Sequence, residues 1–174
     1  MIPLDPHEPA NTLLPWLIHH DSLTDKLKAV ALEVRLDVLR HEWSAPDAWD
    51  KRELCINSNE HALHREILMW ASTDICWYAR TILPLPTYQA EALLFSRLKT
   101  QALGELIWDN PNIKRVHMKH YPINQDSVEY HFLIDSMHQG EIPLWARLST
   151  FSVRDTFPFY LLEIFLPGLR KYCL

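Results

Sequence analysis

His64 to Pro86 reads HREILMWASTDICWYARTILPLP, two apolar runs rich in aromatic and β-branched residues joined by the short polar connector ASTDIC. Two such runs across a few polar residues predict an antiparallel hairpin. Each run also carries one arginine, Arg65 and Arg80. With the turn centred between Ser72 and Thr73, paired positions sum to 145, which sets Arg65 opposite Arg80 and Ile67 opposite Tyr78. Both guanidinium groups then stand on one face of the sheet, about 5 Å apart at Cβ. A loop of odd length sends them to opposite faces. Like charges directly opposed destabilise a strand pair, so the shared face requires a reason. A bound anion is one, because arginine's planar fork grips carboxylates bidentately. The other reading has Arg65 exposed beside Glu66 and Arg80 snorkelling past Tyr78, with no ligand between them.

A second constraint comes from FPFYLLEIFLP, residues 157–167, where Glu163 stands among apolar neighbours of both parities. A strand apolar on both faces is covered on both faces, so this carboxylate is expected to be buried. An unpaired buried carboxylate costs several kcal/mol, so it pairs with a cation or stays neutral. A structural Arg–Glu pair and a ligand site both satisfy that requirement.

The remaining chain predicts α+β organisation. Asn11 can cap a helix over Leu13–Ile18, and a second helix begins near Asp21 or Ser22 with Leu23, Leu27 and Val30 on one side. EVRLDVLRHEW alternates as a half-buried strand, whereas residues 44–60 show no period and read as a loop. LPTYQAEALLFSRLKT predicts a helix and ALGELIW a further turn or two. NIKRVHMKHYPI, SVEYHFLID, WARLSTFSVR and the last run read as strands. Strands following strands predict α+β with a mainly antiparallel sheet. The 174 residues suit one domain, with residues 1–9 an extended lead-in.

Composition removes several classes of function. Three glycines against twelve prolines leave no room for a glycine-rich phosphate loop, and a net charge of -5 disfavours nucleic acid. The N-terminal residues lack the basic region and cleavage site of a signal peptide, and no apolar run is long enough to cross a membrane. Cys55, Cys76 and Cys173 are odd in number and far apart, which fits free thiols and a cytoplasmic location. The histidine pairs His61/His64, His117/His120 and His131/His138 lack the spacing and companions of a metal site, and Cys76 has no evident base beside it.

Five stretches, LLPWLIHHDSLTDKL, HREILMW, WYARTILP, LGELIW and LLEIFLP, resemble in order the motif blocks of bacterial chorismate lyases and span residues 13–167. The resemblance implies an antiparallel sheet with helices packed on one face, an enclosed aromatic-ligand cavity and the conversion of chorismate to 4-hydroxybenzoate and pyruvate, toward ubiquinone. It places the carboxylate-binding arginine on Arg65, the second active-site arginine on Arg80 and the active-site glutamate on Glu163. Backbone amides that hold the product carboxylate fall on Leu23 and Leu103. No metal or organic cofactor is implied. The expected partners are the small-molecule substrate and product alone, without nucleic acid or membrane insertion, and the expected state is a monomer. Two departures stand out: Ala79 replaces a glycine common before the second arginine, and the region around residues 113–141 is long. The alternative is a non-catalytic aromatic-acid binding module related to regulator effector domains. The roughly 30 residues before the first strand are too few for their DNA-reading domain.

Overall fold

The computed structural model describes residues 9–57 and 59–173; most of the proposed lead-in therefore lies outside the described residues. The order of elements is α1 (Leu14–Leu17), α2 (Leu23–Val30), β1 (Val34–Ser44), α3 (Ala48–Leu54), β2 (Ala62–Ala71), β3 (Asp74–Pro84) and α4 (Leu85–Ala90). There follow α5 (Ala92–Phe95), α6 (Leu103–Ile107), β4 (Ile113–Ile123), α7 (Asp135–His138), β5 (Leu144–Val153) and β6 (Phe157–Phe165). The strands form a six-stranded sheet in the order β1-β2-β3-β6-β5-β4, every neighbouring pair antiparallel. This is the α+β, mainly antiparallel architecture that the run of strands predicts.

Each face of the sheet carries its own apolar cluster. On what we call the front, Leu63, Ile67, Met69, Trp77, Phe151, Phe159 and Phe165 pack against Leu17 of α1, Leu27 of α2, Phe95 of α5 and Leu103, Leu106 and Ile107 of α6. On the back, Leu68, Tyr78, Ile82, Leu148, Tyr160 and Leu162 pack against Trp49 and Leu54 of α3 and Met137 of α7. The helices that follow the sequence expectation lie on the front. Those on the back, α3 and α7, come from segments whose sequence predicts no helix.

Three expectations of local structure need correction. Residues 44–60 contain α3, started by a capping box in which Asp47 Oδ1 accepts from the Asp50 amide at 2.9 Å and Asp50 Oδ2 from the Asp47 amide at 3.0 Å. In SVEYHFLID, Glu129–Phe132 is a 3-10 turn leading toward α7. Asn124 Oδ1 accepts from the Asp126 amide at 2.9 Å and Ser127 Oγ from the Asn124 amide at 3.1 Å, closing a turn where a strand would need an extended chain. The helix after Pro86 is broken at Glu91 (φ -141°, ψ 50°), whose carboxylate accepts from Asn112 at 2.8 Å and Arg154 at 3.2 Å.

The hairpin register also differs. Its turn is where the sequence places it, with Ala71 opposite Asp74 and Trp70 opposite Ile75. Beyond that point an irregularity gives β3 one extra residue, and Met69 pairs with Trp77 instead of Cys76. From there Arg65 faces Thr81 and Glu66 faces Arg80. One inserted residue turns every later side chain of β3 to the other face. The bulge is held from outside, since the Cys76 carbonyl accepts from the Leu166 amide at 2.9 Å. Gly168 packs so closely that a Cβ there would lie 2.4 Å from the Ile75 carbonyl oxygen. Only glycine permits that approach.

Candidate active site

Arg65 projects from the front of β2 and is 2% exposed. Its Nε donates to the Leu98 carbonyl at 2.9 Å and its Nη2 to the Gln101 carbonyl at 2.8 Å. Neutral carbonyls orient the guanidinium without cancelling its charge. Burial is what acts on its ionisation, depressing the pKa to about 10. Among the described residues, the recorded partners of Arg65 include no carboxylate.

Glu163 projects from the front of β6 beside Ala79 and opposite Arg147 of β5. Arg147, 1% exposed, donates from Nε to Glu163 Oε1 at 2.9 Å, and its Nη2 lies 2.9 Å from the same oxygen. Its Nη1 donates to the carbonyls of Trp16 (3.3 Å) and His19 (2.6 Å), fastening the α1–α2 connector to the sheet. Arg147 therefore meets the requirement that Glu163 be paired, and it does so through one carboxylate oxygen.

Arg65 and Glu163 line one narrow cavity with Ile67, Ala79, Leu161 and Leu103. Its space is about 30 Å³, room for roughly two water molecules. The first turns of α2 and α6 line it through Thr24, Leu103 and Gly104. These two helix starts touch: a Cβ on Gly104 would stand 3.0 Å from Ser22 Oγ. Leu103 is a lining residue, whereas Leu23 is buried next to lining Thr24 and contributes no lining of its own.

Arg80 does not share this cavity, which corrects the expectation of two arginines on one face. The bulge sends it to the back, where it lies beneath Asp50, itself wholly buried. Its Nη2 is 3.1 Å from Asp50 Oδ1, its Nε donates to Tyr160 Oη at 2.9 Å, and Tyr160 donates to Asp50 at 2.6 Å. Glu66 lies 3.9 Å away, and the Phe132 ring centre is 4.4 Å from the guanidinium carbon. Burial opposes the charge, yet Tyr160 and Asp50 outweigh it, and the Arg80 pKa is raised. The front instead holds Arg147 as the second cation near Glu163. Its signal was available: in WARLSTFSV, Arg147 has the same parity as Trp145, Phe151 and Val153, the inward side. Asp50 gave no such signal, because its role depends on α3.

Among the described residues, no group of three or more His, Cys, Asp or Glu is placed to hold a metal ion. Burial is the main cause that holds His64 below its ordinary pKa, and it raises the Cys76 thiol to about 12. Cys76 is thus a protonated, unreactive thiol.

The fold defines the structural class first. The chain superposes on PhnF of Mycobacterium smegmatis with a TM-score of 0.61 at 14% identity, covering 86% of this chain and 65% of that one. The PhnF C-terminal domain gives a TM-score of 0.57 at 11% identity, covering 86% and 90%. A possible transcriptional regulator, YydK of Bacillus subtilis, gives 0.55 at 14% identity, covering 86% of this chain and 64% of that chain. The family follows from sequence: the chorismate lyase model matches residues 3–172, and the chain belongs to that family. Relatives include probable chorismate pyruvate-lyases of Aromatoleum aromaticum (29% identity, covering 97% of this chain and 91% of the relative) and Psychromonas ingrahamii (26%; 94% and 87%). The chorismate pyruvate-lyase of Pectobacterium atrosepticum is 22% identical, covering 90% and 78%.

Proposed function

We propose that the chain converts chorismate to 4-hydroxybenzoate and pyruvate, the product then serving ubiquinone synthesis. The observation that carries this reading is Arg65: a buried guanidinium, aimed by carbonyls, left without an acid in a cavity that also presents Glu163. A substrate carboxylate supplies the missing counter-charge, and the backbone amides of Leu23 and Leu103 at the first turns of α2 and α6 assist. An aromatic acid is larger than this space of about 30 Å³, so the lining at the first turns of α2 and α6 shifts to admit it.

In the reaction the C3–O bond breaks and the electron pair leaves with enolpyruvate, while C4 loses its hydrogen and the ring becomes aromatic. Enolpyruvate then tautomerises to pyruvate. Glu163, held through Oε1 by Arg147, offers its other oxygen to the C4 hydroxyl or to the C4 proton. Arg147 positions Glu163 through that contact.

The test is direct. Purified protein with chorismate is followed by absorbance for 4-hydroxybenzoate and by a coupled assay for pyruvate, with equal amounts of the two expected. Folded protein that binds 4-hydroxybenzoate and releases no pyruvate would make it a binding module instead.

A further inference from the structure

Arg115 is a second front-face cation whose charge is not answered in place. It leaves β4 opposite Phe151, and its guanidinium carbon lies 4.6 Å from the Trp108 ring centre and 5.4 Å from that of Phe151. Nη1 donates to the His20 carbonyl at 2.8 Å, whereas Nε and Nη2 are buried without a hydrogen-bond partner. Trp108 Nε1 is another buried donor without a partner. Orphan donors of this kind are uncommon and unfavourable, and several together imply a missing acceptor. Burial depresses the Arg115 pKa to about 10; Arg147 pushes the same way, and Glu163 and Asp21 oppose it.

The charges on this face do not balance. Arg147 and Arg115 donate to the consecutive carbonyls of His19 and His20, so their guanidinium groups converge beneath the α1–α2 connector. Arg65, Arg115 and Arg147 set against Glu163 leave three positive charges minus one negative, an excess of two. Asp21, the other acid acting on Arg115, is exposed. Beside Arg115 lies a cleft of about 400 Å³ lined by His20, Trp108, Arg115, Val116, His117 and Met118. Trp108 stands between this cleft and the Arg65 cavity, its Nε1 3.4 Å from where a Cβ on cavity-lining Gly104 would sit.

We infer that Arg115 and Trp108 Nε1 form a second carboxylate subsite, so that this face takes a dicarboxylate with one acid group on Arg65 and the other on Arg115. In naming chorismate as that dicarboxylate, with its enolpyruvyl carboxylate on Arg115, the inference rests on the proposed function. The subsite itself does not.

Calorimetry with two probes that differ only in the second acid, 3-(carboxymethoxy)benzoate and 3-methoxybenzoate, tests it. The wild-type protein is expected to bind the dicarboxylate about tenfold more tightly or better, the worth of one charge-assisted contact. Arg115→Gln removes that preference, Arg115→Lys retains part of it, and Trp108→Phe, which keeps the ring and loses the donor, reduces it about threefold. Affinity for 4-hydroxybenzoate stays within about twofold throughout. A wild-type protein with no preference, or an Arg115→Gln variant that weakens both probes equally, overturns the inference. Chorismate turnover measured in parallel separates the two readings. Preference without turnover sinks the lyase reading and leaves the subsite, whereas turnover with a preference untouched by Arg115→Gln does the reverse.

Discussion

The two faces of one hairpin treat the same side chain in opposite ways. Arg65, on the front of β2, is buried against carbonyl oxygens beside a cavity. Arg80, on the back of β3, is buried against Asp50, Tyr160 and Glu66. The first is a charge waiting for a partner, the second a charge already neutralised. Burial alone therefore does not mark a ligand-binding arginine. What marks it is whether the fold itself supplies the acid.

The sharpest way to break this contrast is to remove the acid on the back. Asp50→Ala removes the fully buried acid from Arg80 and leaves only the longer contacts to Asp47 and Glu66, and should cost about 3 kcal/mol in denaturant unfolding. Arg65→Met, which removes a charge that has no acid, should stay within about 1 kcal/mol of wild type. Similar losses in the two variants would erase the distinction between the faces.

Ligand affinity should show the reverse ranking. Arg65→Met is expected to weaken 4-hydroxybenzoate binding by about 1.5–3 kcal/mol, measured by calorimetry, because a charge-assisted contact is lost. Unchanged affinity would remove the front face from consideration as the carboxylate site.

Acidification should expose the back face next. Burial, the largest cause, holds His64 below its ordinary pKa of 6.5, so the folded chain takes up its proton later than the unfolded one. Between those two values the unfolded state binds more protons, and stability must fall as pH drops below 6.5. One such histidine contributes at most about 1.4 kcal/mol per pH unit. His64→Asn should flatten part of that slope in thermal or denaturant melts; His41 and His19, also lowered chiefly by burial, supply the rest. A slope identical to wild type would show that folding leaves the proton affinity of His64 unchanged.

The smallest effect belongs to Ala79, whose methyl lines the front cavity next to Glu163. Ala79→Gly should change 4-hydroxybenzoate affinity by less than about fivefold, while stability falls by about 0.5–1 kcal/mol from the freer backbone. A larger gain in affinity would mean that this methyl limits the size of the closed cavity.

Local chemistry made much of the molecule readable in advance. Alternation in EVRLDVLRHEW, the paired runs around ASTDIC and the two-sided apolar strand bearing Glu163 reported strands and a buried acid, because side-chain period and burial are properties of neighbouring residues. The breakdown of SVEYHFLID and the helix at Ala48–Leu54 were less legible, because turn and cap hydrogen bonds overrode weak periodicity. The motif blocks also identified the family from residues alone.

Which groups share a face was a tertiary matter. One extra residue in β3 carried Arg80 away from Arg65, and the packing of Gly168 and Leu166 against Ile75 and Cys76 holds that bulge. Arg147 and Asp50 acquired their roles from partners 16 and 30 residues distant. A chain dictates what each segment prefers; the pairing of charges depends on register and on which element covers which face, and those are settled only when the whole sheet closes.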